Sequence, residues 1–138
     1  MIEYISYEKL HTIIYQTHDI KRINRSMTSV IHTICYKHLI DFKGYLKAVK
    51  KVFNMKYHIP IYIDETLQLI PIKAYRTYEN IWINKVAIDS IIKEEKSIKI
   101  TFYSGRTLIV DKSIQYFKKQ FQRLDEISNH SSKHFHFE

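Results

Sequence analysis

The sequence predicts an α+β fold: a twisted antiparallel β-sheet, arranged as an open or partly closed meander, with two helices packed on it. Three observations carry this prediction. Ile98, Ile100 and Phe102 alternate with Lys99, Thr101 and Tyr103, the period-2 pattern of a strand with one buried face. Phe42, Tyr45, Leu46, Val49, Val52 and Phe53 recur at the spacing of one helix face. Eleven Tyr and seven Phe favour strands elsewhere in the core.

Residues 1 to 19 read as strand material, with Tyr4-Ile5 and the run from Leu10 to Tyr15 ended by the polar break Thr17-His18-Asp19. Lys21 to Ser26 reads as a loop bearing three positive charges. Thr28 to Cys35 is ambiguous: Met27, Val30, Ile31 and Ile34 fit a helix face, but the segment is rich in β-branched residues, and these tip the reading towards strand. The helix predicted over 41–54 is clearer. Asp41 stands at its N-cap, where a carboxylate also suits the positive end of the helix dipole, and Gly44 weakens its first turn by about 1 kcal/mol.

Ile61 to Ile63 follows Pro60 as a short strand, Asp64-Glu65 form a turn, and Leu67 to Ile72 return. Pro71 confines that second strand to a sheet edge or its own end. After a polar loop, Ile81 to Ile83 and Val86 to Ile92 lead into the hairpin of Ile98–Phe102 and Thr107–Val110. Its turn is Ser104-Gly105-Arg106, where glycine adopts positive φ without strain. Asp111 or Ser113 caps a last helix over 112–127, with Ile114, Phe117, Phe121 and Leu124 inward. Residues 1–128 form one domain, 129–138 a flexible tail, and Trp82 belongs to the core.

Charge is the first functional clue. Nine Lys or Arg lie between Lys21 and Lys56 against one acid, Asp41, so the whole net charge of +8 sits in that segment. Concentrated positive charge suits a polyanion, nucleic acid before others, although a solvated basic face without a partner has the same composition. Lys43, Lys47, Lys50 and Lys51 fall opposite the apolar face of the 41–54 helix, a ridge able to track phosphates. Arg22 and Lys37 add to the basic surface. Asn24, Arg25 and Arg76 are the candidates for reading bases, arginine being favoured in a narrow A·T-rich minor groove.

Nothing in the sequence composes a catalytic site. The two glycines lie far apart, which excludes a phosphate loop, and the carboxylates stand singly or in exposed turns. Cys35, the single cysteine, reads as a small buried hydrophobe and excludes an internal disulfide. His130, His134 and His136 suit at most adventitious metal binding, so neither metal nor cofactor is expected. No apolar run reaches the length of a membrane span and no signal peptide is recognisable, which predicts a cytoplasmic protein without membrane contact.

Short segments in order give the chain a family resemblance. Ile59-Pro60-Ile61, Leu69-Ile70-Pro71-Ile72 and Asn80-Ile81-Trp82-Ile83-Asn84 precede Thr101-Phe102-Tyr103-Ser104-Gly105-Arg106-Thr107. That last stretch looks like a Thr-Phe-x-Asn-Gly-Lys-Thr hairpin. Cys35 and Phe42-Lys43-Gly44 match further positions. With these the chain resembles ComK, the competence transcription factor family of certain Gram-positive bacteria. It departs from the family's Arg-Ser-Cys-Arg run, having Thr33-Ile34-Cys35-Tyr36 at the cysteine and Ile23-Asn24-Arg25-Ser26 nine residues earlier. It also has one proline where the family usually has a pair, and lacks the longer C-terminal tail that serves adaptor-guided proteolysis in some members. The resemblance implies a non-enzymatic activator of DNA-uptake genes. Such proteins bind paired A/T-rich boxes in double-stranded DNA through the minor groove, as dimers that bend it. RNA polymerase and a protease adaptor are then further partners. The alternative is a protein-binding module, such as a paralogue that modulates a full-length relative.

Overall fold

The computed structural model describes residues 1–75, 77 and 79–133. Six strands form one antiparallel sheet: β1 (Ile2–Glu8), β2 (His11–Gln16), β3 (Ile20–Ile23), β4 (Ile61–Asp64), β5 (Leu67–Pro71) and β6 (Trp82–Asn84), in the spatial order β3-β2-β1-β6-β5-β4. A second sheet is the meander of β7 (Ile88–Lys93), β8 (Ile98–Phe102) and β9 (Thr107–Val110). Neither closes into a barrel. Helices α1 (Met27–Lys37), α2 (Phe42–Phe53) and α3 (Ile114–Lys133) complete the α+β fold.

Alternation along the large sheet separates two cores. Ile5, Ile14 and Trp82 face α1 and α2 and pack with Met27, Ile31, Phe42 and Leu46. Tyr4, Ile70 and Ile83 belong to the other cluster, with Ile100, Phe102, Phe117 and Leu124 of the small sheet and α3. Trp82 is 1% exposed, as its place in the core requires. The N-terminal strand is held in the middle of the sheet by β6, Tyr4 opposite Ile83 and Ile5 opposite Trp82.

The predicted single meander divides at Asn84. Its buried side chain accepts from the Gln68 and Val86 amides (2.9 and 3.3 Å) and donates to the Ile2 and Thr66 carbonyls (2.8 and 3.0 Å). These bonds satisfy backbone groups of three segments and cap a 3₁₀ turn, Lys85–Ala87, that carries the chain from the large sheet to the small one. Asn80 does similar work in the preceding loop: its Oδ1 accepts from Lys73 and Ile81 (both 2.8 Å), and its Nδ2 donates to the Lys73 carbonyl (3.0 Å).

Three further expectations are corrected. Residues 27–37 are helix, not strand. Met27, Val30, Ile31, Ile34 and Cys35 are all buried, and Ser26 caps the helix by accepting from the Ser29 amide at 3.1 Å. Burial of that face outweighs the few tenths of a kcal/mol that each β-branched residue costs in a helix. Residues 20–23 are an edge strand rather than loop, with Lys21 opposite Ile14 and Arg22 opposite Ile13. The last helix continues through 129–133 of the supposed tail; 134–138, with His134 and His136, lie outside the described residues. Helix α3 spans both cores, Phe117 and Leu124 in one and Ile127 in the other. Its Ser113 cap accepts from the Tyr116 amide, its Tyr116 hydroxyl donates to the Pro71 carbonyl, and its Gln120 donates to the His58 carbonyl at 2.7 Å.

Among the described residues, five other than glycine have positive φ: Lys9 (48°), Leu10 (68°), Leu39 (61°), Asn54 (56°) and His58 (53°). Each costs on the order of 1 kcal/mol, least for asparagine. Leu10, expected within a strand, is the second residue of the two-residue turn between β1 and β2. Gly105 has φ 92°, as predicted for its turn.

Candidate nucleic-acid interface

Helix α2 positions the lysine ridge. Phe42, Leu46 and Val49 are buried, whereas Lys43, Lys47, Lys50 and Lys51 are all exposed. The Asp41 Oδ2 accepts from the Gly44 amide at 3.1 Å, and a Cβ at residue 44 would meet that oxygen at 2.9 Å. Glycine therefore costs helix propensity but leaves room for the cap. Lys50 and Lys51 lie in the last turn, on the negative end of the helix dipole. Among the described residues none of the four ridge lysines has an acidic partner; the Lys and Arg ion pairs there are Lys85–Asp125 and Arg106–Glu3.

Arg25 precedes α1 and lies back along it. Its Nε and Nη2 donate to the Ser29 hydroxyl (3.0 and 2.6 Å), and Nη2 also donates to the Thr33 hydroxyl (2.7 Å). The i, i+4, i+8 spacing puts these groups in one row of the helix. The remaining edge of the guanidinium, Nη1, makes no hydrogen bond among the described residues, so a pre-oriented donor pair faces outward. Arg25, Ser29, His32, Thr33 and Tyr36 line a shallow surface groove.

The sequence candidates thus form two groups joined by α1. Arg22, Asn24 and Arg25, all exposed, gather where β3 leads into α1. Lys43, Lys47, Lys50 and Lys51 form the second group on α2. Lys37, in the last turn of α1, lies between them in the chain, and His32 packs edge-on against Phe42 at 5.1 Å to set the two helices side by side. Arg76 lies outside the described residues. Sequence reasoning missed Ser29 and Thr33, whose spacing from Arg25 has meaning only once the segment is known to be helical. It missed Lys9 as well, in the β1–β2 turn three residues before Thr12, whose hydroxyl donates to the Arg25 carbonyl.

Other chemistries find little support here. Cys35 is fully buried, and desolvation, with a smaller effect from Asp41, pushes its thiol up to about 11, away from the thiolate a nucleophile needs. Among the described residues no three His, Cys, Asp or Glu side chains cluster so as to hold a metal ion, and no helix is long and apolar enough to cross a membrane.

The ComK protein family model matches residues 1–135 of the 138-residue chain. The chain belongs to the ComK family. No curated protein and no solved structure matches it. ComK proteins are competence-related transcription factors rather than enzymes, and DNA is the partner class that this membership brings. Among the ComK motif residues, Asn80, Trp82 and Asn84 are buried and Gly105 has the positive φ of a turn, so these positions specify the fold. The exposed cations on α1 and α2 are what the fold offers to a polyanion.

Proposed function

We propose that this chain is a sequence-specific activator of competence genes that binds A/T-rich boxes in double-stranded DNA. The observation that carries the reading is the pairing, on adjacent helices, of an unpaired lysine ridge with an arginine pre-oriented by Ser29 and Thr33. Lysines that neutralise phosphates supply affinity and little sequence information. A tethered arginine loses little freedom on entering a groove, and the strong negative potential of a narrow A·T-rich minor groove favours it there. Asn24 offers a hydrogen-bonding side chain beside it, Arg22 and Lys37 extend the positive field, and Arg76 is a further candidate for DNA contact on its residue type. Two boxes in a target require two-fold symmetry, so the protein acts as a homodimer, in the cytoplasm, where it meets RNA polymerase at promoters.

Competition binding tests this directly. Wild-type protein should prefer a duplex with paired A/T-rich boxes over a G·C-rich duplex of equal length. Arg25→Lys should reduce that preference by about 1–3 kcal/mol while retaining most non-specific affinity. Equal, salt-erased binding to both duplexes would instead identify a protein-binding module.

A further inference from the structure

The β1–β2 turn is made from residues ill suited to it. Both central residues of such a hairpin turn need positive φ, which Asn-Gly or Asp-Gly provides with least strain. Here they are Lys9 and Leu10, at 48° and 68°. Leu10 is also 77% exposed, so burial does not account for a leucine at this position. A branched apolar side chain held at the tip of a hairpin, in a costly backbone conformation and in water, points to contact with a partner.

The surroundings define that partner's chemistry. Lys9 is itself in the turn, and Arg22 stands opposite Ile13 on the neighbouring strand, three residues beyond Leu10. The Thr12 hydroxyl, two residues beyond Leu10, donates to the Arg25 carbonyl at 2.7 Å and brings Asn24 and Arg25 to the same corner. Glu8, the acid beside the turn, is drawn back along its strand, where its Oε2 accepts from the Ser6 and Tyr15 hydroxyls at 2.6 and 2.5 Å. An aliphatic tip among Lys, Arg and Asn has the composition of a minor-groove wedge: the cations meet phosphates and the groove floor while the apolar group enters a base step. A protein pocket would need an acidic rim to match the cations around Leu10, whereas duplex DNA carries its phosphates beside every base step. Leu39, at 96% exposure and φ 61°, differs in its surroundings: between Lys37 and Lys43 stand Asp41, two residues on, and His38, whose ring lies 3.7 Å from the Asp64 carboxylate.

We infer that Leu10 inserts between base pairs in the DNA minor groove and kinks the duplex there, with Lys9 on the flanking backbone and Arg25 in the groove beside it. The inference rests on the DNA-binding reading above.

The test uses full-length protein and a duplex of paired A/T-rich boxes labelled at both ends, with bending read by energy transfer and affinity by titration. Leu10→Gly suits the turn and should melt no lower than the parent, yet it should bend the duplex less and bind roughly tenfold more weakly. Leu10→Met, which keeps an apolar side chain of similar volume, should retain both bending and affinity. Parental bending and affinity in Leu10→Gly would overturn the wedge and leave the DNA-binding reading standing. Failure of the unsubstituted protein to bind the duplex would overturn both.

Discussion

Arg106 donates from Nε to the Glu3 carboxylate at 2.7 Å, joining the tip of the β8–β9 hairpin to the first strand of the large sheet. The guanidinium also lies over the Tyr15 ring, 5.2 Å from its centroid, and donates to the Gln16 carbonyl at 3.3 Å. Glu3, almost wholly buried, sits where the β1–β2 register shifts between Ile2 and Tyr4. This pair clamps the small sheet onto the large one and gives Arg106, in the family's hairpin motif, a structural role.

Removal of Arg106 alone should therefore be costly. Arg106→Met leaves a buried carboxylate without its cation and should destabilise the protein by about 2–4 kcal/mol in urea unfolding. The double variant Glu3→Met, Arg106→Met should recover a large part of that loss. Additive losses would contradict the clamp.

Gly44 gives a prediction against the usual rule. Gly→Ala inside a helix ordinarily gains about 1 kcal/mol. Here the new Cβ would press on the Asp41 carboxylate that caps α2, so Gly44→Ala should gain nothing or lose stability. In an Asp41→Ala background the ordinary gain should return, and a double-mutant cycle should give a coupling of at least about 0.5 kcal/mol.

His58 makes stability depend on pH. Burial, then the nearby charges of Lys112 and Arg123, hold its imidazole below the usual value of 6.5. The folded state favours the neutral ring, so the contribution is complete above pH 6.5 and is lost as pH falls through the lowered folded value. His58→Asn tolerates the positive φ of 53° and removes the titration. Its urea midpoint should gain on the parent between about pH 7.5 and 5.5; parallel midpoints over that range would refute the assignment.

Much of the fold was legible because local and tertiary signals agreed. In α2 an N-cap, an apolar stripe and a lysine face coincide, and Ile98 to Val110 combines clean alternation with a glycine turn. Helix α1 was misread because its β-branched residues favour strand locally, and only burial of Met27 to Cys35 against the sheet decides otherwise. The division of residues 80–111 between two sheets depends on Asn84, whose partners lie as far away as Ile2. For the proposed interface, charge placement points to the ridge and Arg25. The tether through Ser29 and Thr33 and the exposed Lys9-Leu10 turn emerge only when the chain is folded, since neither carries the Gly or Asn that marks a turn in sequence.

The salt dependence of DNA binding tests the central claim most directly. Log K for a paired A/T-box duplex should fall linearly with log salt. Changing Lys43, Lys47, Lys50 and Lys51 to Gln should flatten the slope by roughly 0.9 for each phosphate no longer neutralised, with the fold intact because all four side chains are exposed. A slope unchanged by the four substitutions, or wild-type binding indifferent to salt, would contradict the account.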